Sequence, residues 1–222
     1  MCTVTYLPIP GGFVLTHNRD EAPSRSRHGL TRTGSLTFPK DAKAGGAWIA
    51  TAKDGRTACL LNGAFVKHRH EPPYRRSRGL VLLDFFDWPE PGDFFEKYDL
   101  AGIEPFTFLF FQTEKVVQLR WDGSSRHIAE LPPDQPHFWC SATLYPPEMQ
   151  VRREQVFRDW MKKGDGLSDR RLPSAILNLH LTGSVGDPEN DYVMNRDGRV
   201  RTVSVTQVVR RKSGTRMRYF EL

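Results

Sequence analysis

The chain opens on two runs whose residues favour extended backbone. Cys2-Thr3-Val4-Thr5-Tyr6-Leu7 and Phe13-Val14-Leu15-Thr16-His17 are β-branched and aromatic, with Pro8, Pro10, Gly11 and Gly12 supplying turn chemistry between them. The pattern predicts a β-hairpin. With the turn centred on Pro10-Gly11, antiparallel partners have numbers that sum to about 21, which sets Cys2 opposite Arg19. A second hairpin follows: Ala47 to Ala52, the turn Lys53-Asp54-Gly55, and Thr57 to Gly63, with Asp-Gly as the turn signal. Ser77 to Trp88 reads as a helix with Leu80, Leu83 and Phe86 on its buried face, ended by Pro89 and Pro91, and Gly92 to Tyr98 adds a short helical turn.

Phe106 to Phe111, Val116 to Trp121 and His127 to Leu131 then predict a three-stranded meander, and His137 to Cys140 a further strand. Pro146 to Lys163 is the clearest amphipathic helix, with Met149, Val156 and Trp160 at helical spacing against Arg152, Arg153 and Lys162. Arg171 to Leu181 predicts another helix, and Val200 to Val209 with Thr215 to Phe220 close a sheet. Consecutive antiparallel strands interrupted by a few helices suit an α+β sandwich and not a parallel nucleotide-binding sheet.

Composition narrows the class. A chain of 222 residues with 38% hydrophobic content can bury one sizeable core, so residues 1–222 are expected to form a single domain. No apolar stretch is long enough to span a membrane, and the N-terminus lacks the basic and apolar regions of a signal peptide, so a cytoplasmic location is expected. Three cysteines do not make a disulfide framework, and Cys59 and Cys140 read as core residues. The formal net charge of +6 is concentrated at Lys67-His68-Arg69-His70 with Arg75, Arg76 and Arg78, beside the predicted end of the second hairpin. That placement suits an anionic small-molecule substrate. The aromatic residues fall in core-like strands, which argues against a nucleic-acid partner. His68-Xaa-His70 has neither Cys nor carboxylate at ligand spacing nearby, and Gly45-Gly46 lacks the Lys-Ser/Thr of a phosphate loop, so no metal and no cofactor is expected.

The candidate chemistry lies at the start. Loss of Met1 would leave a thiol and a free α-amine on Cys2, a nucleophile with its own base, whose ordinary pKa values of about 8.5 and about 7.7–8.0 lie close together. The hairpin register lays this residue beside Asn18-Arg19-Asp20-Glu21. A guanidinium there favours the thiolate, and a carboxylate from Asp20 or Glu21 can hold the amine. His17 shares the strand face of Cys2 by alternation. Asn62 ends an apolar strand before Gly63, where its carboxamide can serve a developing oxyanion. His180, late in its helix, can approach the same region from another layer.

Met1-Cys2-Thr3, Asn18-Arg19-Asp20-Glu21, Gly45-Gly46-Ala47-Trp48 and Leu60-Leu61-Asn62 together resemble the NRDE family, which includes the transport and Golgi organisation protein 2 group. Arg76 to Leu80, Ser141-Ala142-Thr143 and Arg201 to Ser204 continue the likeness over nearly the full length. The resemblance implies the N-terminal-nucleophile hydrolase fold, a four-layer αββα sandwich of two antiparallel sheets between helical layers. It also implies attack by an N-terminal cysteine on a non-peptide amide. In that scheme Cys2 is the nucleophile, Arg19 and Asp20 contact its thiolate and amine, and Asn62 lines the oxyanion hole. Ser141 stands where related enzymes carry a second asparagine, and Arg201 is the candidate for a C-terminal arginine at the site. Asn18, Glu21 and His17 are supporting candidates. Two functions follow as expectations: a cysteine amidohydrolase working through a thioester, and, as the alternative, a non-catalytic carrier of haem or lipid in which Cys2, His17 or Met149 contacts the ligand.

Overall fold

The computed structural model describes residues 2–26, 28–164 and 166–222. Met1, whose removal the sequence reading requires, lies outside the described residues.

The first hairpin forms as its composition dictates. Strands β1 (Cys2–Ile9) and β2 (Gly12–Glu21) pair from Ile9 opposite Gly12 to Cys2 opposite Arg19, the register the turn predicts. Strands β3 (Thr31–Thr33) and β4 (Leu36–Phe38) lead to the second hairpin, β5 (Ile49–Ala52) and β6 (Thr57–Asn62). Helix α1 (Arg78–Asp84), extended by a 3-10 turn at Phe85–Asp87, and helix α2 (Pro91–Lys97) come next. The meander is β7 (Phe106–Gln112), β8 (Lys115–Trp121) and β9 (Arg126–Leu131), followed by β10 (His137–Cys140). Helices α3 (Pro147–Lys163) and α4 (Leu172–Thr182), then β11 (Asn195–Arg196), β12 (Val200–Arg211) and β13 (Gly214–Glu221), complete the chain.

One sheet runs β10-β1-β2-β12-β11 with β13 paired to β12, and the other runs β3 through β9 in chain order. All pairs between these strands are antiparallel. Strand alternation explains how the layers stack. Val4, Tyr6, Phe13 and Leu15 face Ile49, Cys59, Leu61, Leu109 and Phe111 between the sheets, with the rings of Tyr6 and Phe111 stacked at 5.4 Å. The intervening residues Leu7, Ile9 and Val14 meet Phe157, Ile176 and Leu179 of α3 and α4. On the far side, Phe106, Phe108 and Phe110 meet Phe85, Phe94 and Phe95. Strand β7 is thus covered on both faces, which is why Phe108 to Phe111 run apolar without a break instead of alternating. The order is helices, sheet, sheet, helices: an α+β four-layer αββα sandwich.

The structure departs from the sequence pattern in places that have physical reasons. Strands β3, β4 and β11 are two or three residues long and partly exposed, so they carry no periodic signal. Arg153, grouped by the pattern with the polar face of α3, is fully buried. It lies one helical turn after Met149 on the packed side, and its guanidinium donates to the Asn190 and Asp191 carbonyls and the Thr3 hydroxyl. No helix among the described residues is long and apolar enough to cross a membrane.

Candidate active site

Cys2 stands at the first position of β1 with 2% of its surface exposed, and it forms part of the wall of a cavity of about 460 Å³. Arg19 lies across the strand pair and lines the same cavity. This guanidinium is fixed from three sides. It stacks on Trp48 at 3.9 Å, donates to the Arg25 carbonyl at 3.0 Å and pairs with the Asp41 carboxylate. Asp41 in turn accepts the backbone amides of Lys43 and Ala44 at 2.9 and 2.7 Å and an ion pair from Arg25 at 3.0 Å. Burial alone would raise the Asp41 pKa, but those amides and the two arginines outweigh it and hold the carboxyl below its ordinary value.

Arg19 does favour the Cys2 thiolate, yet it does not dominate. Burial, joined by the Asp20 charge, pushes the Cys2 pKa up, so the resting residue is a thiol. The guanidinium opposite acts in the expected direction, and desolvation of the thiolate is the larger effect.

Asp20 points to the opposite face of β2 from Arg19, as adjacent strand residues must. It accepts hydrogen bonds from the Tyr145 hydroxyl at 2.9 Å and the Thr202 hydroxyl at 2.7 Å. Its pKa is raised by burial, against the opposing pull of Arg153, Thr202 and Tyr145. The Thr202 contact depends on a register shift in β12: Thr202 pairs with Asp20 but Ser204 with Arg19, so one extra residue bulges there and re-aims the side chains. Arg201 precedes that bulge, is exposed, and donates to the Leu222 carbonyl at 3.3 Å. The structure does not bring it to the cavity. Glu21 does line the cavity and binds Arg25 at 2.9 Å.

The remaining members of the cluster serve the layers around it. The Asn18 carboxamide donates to the carbonyls of His180 and Tyr192 at 2.9 and 2.7 Å, and its oxygen meets the His180 ring at 2.5 Å. His180 is fully buried and bonded at its other ring nitrogen to Thr5, so it secures β1 and β2 to α4 and does not face the cavity. His17 is buried on the inter-sheet face, where burial lowers its pKa to about 3 and keeps it neutral. Met149 packs with Leu144, Tyr145 and Met194 in the helical layer, away from the sheet face that carries His17.

Asn62 ends β6 and lines the cavity with Cys2, and its side chain has no hydrogen bond among the described residues. Its backbone is held by Ser141, whose hydroxyl donates to the Asn62 carbonyl at 2.8 Å while its own amide donates to the Cys2 carbonyl at 2.9 Å. Ser141 thus ties the two residues together and spends its hydroxyl in doing so. Gly63 takes φ +82°, and a Cβ there would lie 2.8 Å from Thr143, so the turn after Asn62 requires glycine. The opposite wall relies on a closer approach: a Cβ on Gly46 would lie 2.4 Å from the Gly79 backbone at the start of α1. Gly46→Ala is expected to force these walls apart and destabilise the protein by about 1–3 kcal/mol, measurable by denaturant titration.

The basic loop is less free than its sequence implies. His68 and His70 meet one oxygen of Glu104 at 3.0 and 3.2 Å, and the other oxygen pairs with Arg78 at 2.9 Å. Arg76 is engaged by Asp84. Among the described residues no set of three or more His, Cys, Asp or Glu side chains is arranged to hold a metal.

Sequence reasoning missed Asp41, Tyr145, Arg153 and Thr202. The signal for Asp41 was local, an Asp three residues before an Ala-Gly-Gly turn, which is a common site for a carboxylate to accept turn amides. Arg153 could have been found from its place on the Met149 stripe.

The fold is similar to solved structures of an acid amidase and of a conjugated bile acid hydrolase. The Caenorhabditis elegans ortholog of N-acylethanolamine-hydrolyzing acid amidase superposes with a TM-score of 0.63 at 12% identity, covering 94% of this chain and 92% of that one. Conjugated bile acid hydrolase from Clostridium perfringens, in a variant with a cysteine replaced by alanine, gives 0.53 at 11% identity over 100% and 92% of the chains. A variant of the same enzyme with an arginine replaced by leucine gives 0.54 at 12% identity over 99% and 92%. These neighbours are N-terminal-nucleophile hydrolases, and the present chain has their fold. None of the curated proteins compared with it matches in sequence. The family model for Transport and Golgi organisation 2 matches residues 1–219, and the chain belongs to that family.

Proposed function

We propose that the protein is an amidohydrolase in which Cys2, once Met1 is removed, attacks a non-peptide carbon–nitrogen bond. The observation that carries this reading is the convergence of Cys2, the anchored Arg19 guanidinium and Asn62, whose carboxamide has no partner among the described residues, on one cavity. The similar fold of known amidases supports it.

As the Cys2 sulfur bonds to the acyl carbon, the α-amine of the same residue takes the thiol proton. This suits a thiol whose resting pKa is raised, because no thiolate has to be maintained before substrate binds. The carbonyl oxygen becomes an oxyanion, which Asn62 stabilises by donating its amide hydrogen. The α-ammonium then protonates the leaving nitrogen, the C–N bond breaks and an acyl thioester remains. The freed amine takes a proton from water as the water oxygen attacks the thioester; collapse breaks the C–S bond and releases the acid, and the ammonium returns its proton to the sulfur, restoring the thiol and the free amine. Arg19 balances charge beside the sulfur. Asp20, whose charge acts on Cys2, steadies the ammonium stage from the other face of β2.

Asn62→Ala tests the oxyanion step. The expected result is a fall in kcat of about 10²–10³, with little change in melting temperature because the side chain makes no hydrogen bond among the described residues. Release of amine at an unchanged rate by this variant would remove Asn62 from the mechanism.

A further inference from the structure

We infer that the cavity takes a small zwitterionic amide, an amino-acid derivative bearing a free ammonium and a carboxylate, rather than an amide of a fatty acyl chain or another extended apolar group. This rests on the reading of the cavity as the substrate site and concerns what that site selects.

Pockets for small molecules are mostly apolar with a few placed polar groups. This one is more evenly mixed, with charged groups set among the apolar ones: eight of its eighteen lining residues are Arg, Asp, Glu or His. Its apolar surface comes from Trp48, Leu60, two alanines, Cys2 and the Tyr74 ring, interrupted by charged side chains, so it makes no continuous sleeve for a chain. A methylene gains its transfer free energy only where it meets apolar surface, and an alkyl chain laid against these walls would strip water from charged groups without replacing the lost hydrogen bonds.

The charges are of both signs and arranged in pairs. Glu21 faces Arg25 at 2.9 Å, Glu104 faces Arg78 at 2.9 Å, and Arg76 is matched by Asp84. A ligand with a net charge would leave one member of these pairs opposed, whereas a zwitterion can extend the alternation. Donors remain for its carboxylate. Arg76 uses Nε and Nη2 on Asp84, and Arg78 uses Nη1 on the Pro105 carbonyl and Nη2 on Glu104. Nη1 of Arg76 and Nε of Arg78 carry no hydrogen bond among the described residues. Glu21, on the Arg19 side of the cavity, is the carboxylate placed to receive the ammonium.

The test uses two amides that share a leaving amine and are close in length: γ-glutamylethanolamide, a zwitterion, and N-hexanoylethanolamine, an apolar acyl amide. Binding is measured by calorimetry on the Cys2→Ala protein, and ethanolamine release is measured separately on the unaltered protein. The zwitterion is expected to bind at least about tenfold more tightly. Arg76→Gln and Glu21→Gln, each checked for an unchanged melting profile, are each expected to weaken the zwitterion about tenfold and to leave the hexanoyl compound unaffected. Equal or tighter binding of the hexanoyl compound, or no binding of the zwitterion, overturns the inference. The two readings fail differently. Zwitterion binding without ethanolamine release refutes hydrolysis of this amide class but keeps the ligand class. Cys2-dependent release from the hexanoyl compound alone keeps hydrolysis and refutes the ligand class.

Discussion

Replacing Cys2 by alanine is expected to lower amide turnover by about 10⁴-fold or more, because it removes the proposed nucleophile. Neither other cysteine can replace it. Cys59 is fully buried with its pKa pushed far up by burial, and Cys140, whose pKa burial raises to about 12, lies off this cavity. The fold should hardly notice the change, since one sulfur atom leaves a small gap in the inter-sheet cluster. Substrate binding should persist, because the charged walls remain. The check is a pair of assays, amine release and melting, on the same preparation. Residual turnover within tenfold of the parent would show that chemistry occurs without Cys2.

The second large effect is on stability. Arg153→Leu is expected to destabilise the protein by about 3–5 kcal/mol and to lower its melting temperature by about 10 °C. The guanidinium is wholly buried, donating to Thr3 and to the carbonyls of Asn190 and Asp191, and it lies 4.1 Å from the centre of the Tyr145 ring. Removing it strands those acceptors and deprives Asp20 of the largest influence that favours its charged form. The sign of the pH dependence follows. Asp20 already has a folded pKa above its unfolded one, so its contribution to stability is present at low pH and lost as pH rises through the folded value. Without Arg153 that value rises further. The deficit of the variant should therefore shrink as pH is lowered and the carboxyl is protonated. A melting temperature within about 2 °C of the parent at neutral pH would contradict this account.

What could be read from the sequence divides along a physical line. Short-range order was legible: Pro10-Gly11 and Asp54-Gly55 fixed the turns, and strand pairing then placed Cys2 against Arg19 with no further information. The layer order was legible through family likeness, and the apolar alternation of β1 and β2 agrees with it. Contacts between elements distant in the chain were not. Asp20 meets Tyr145 and Thr202 across 125 and 182 residues, and the Thr202 contact depends on a bulge that leaves no mark in composition. Arg201 illustrates the consequence: one position from Thr202, it carries the residue type expected of a site but points to the chain end. Ser141 is a different case. It stands beside Asn62 and Cys2, but its hydroxyl holds the Asn62 backbone and is not offered to the cavity as a donor in place of an asparagine.

The central claim is that Cys2, with its own α-amine free, is the reactive group. It is tested most directly by the intact mass of the purified protein before and after brief exposure to a thiol-directed electrophile at neutral pH, with the adduct mapped by peptide. The account predicts a chain that has lost Met1 and carries one adduct, on Cys2. Selectivity would be informative because Cys140 is the more exposed thiol, so labelling by exposure alone would favour it. Retention of Met1, or an adduct on Cys140 with Cys2 unmodified, would contradict the proposed nucleophile.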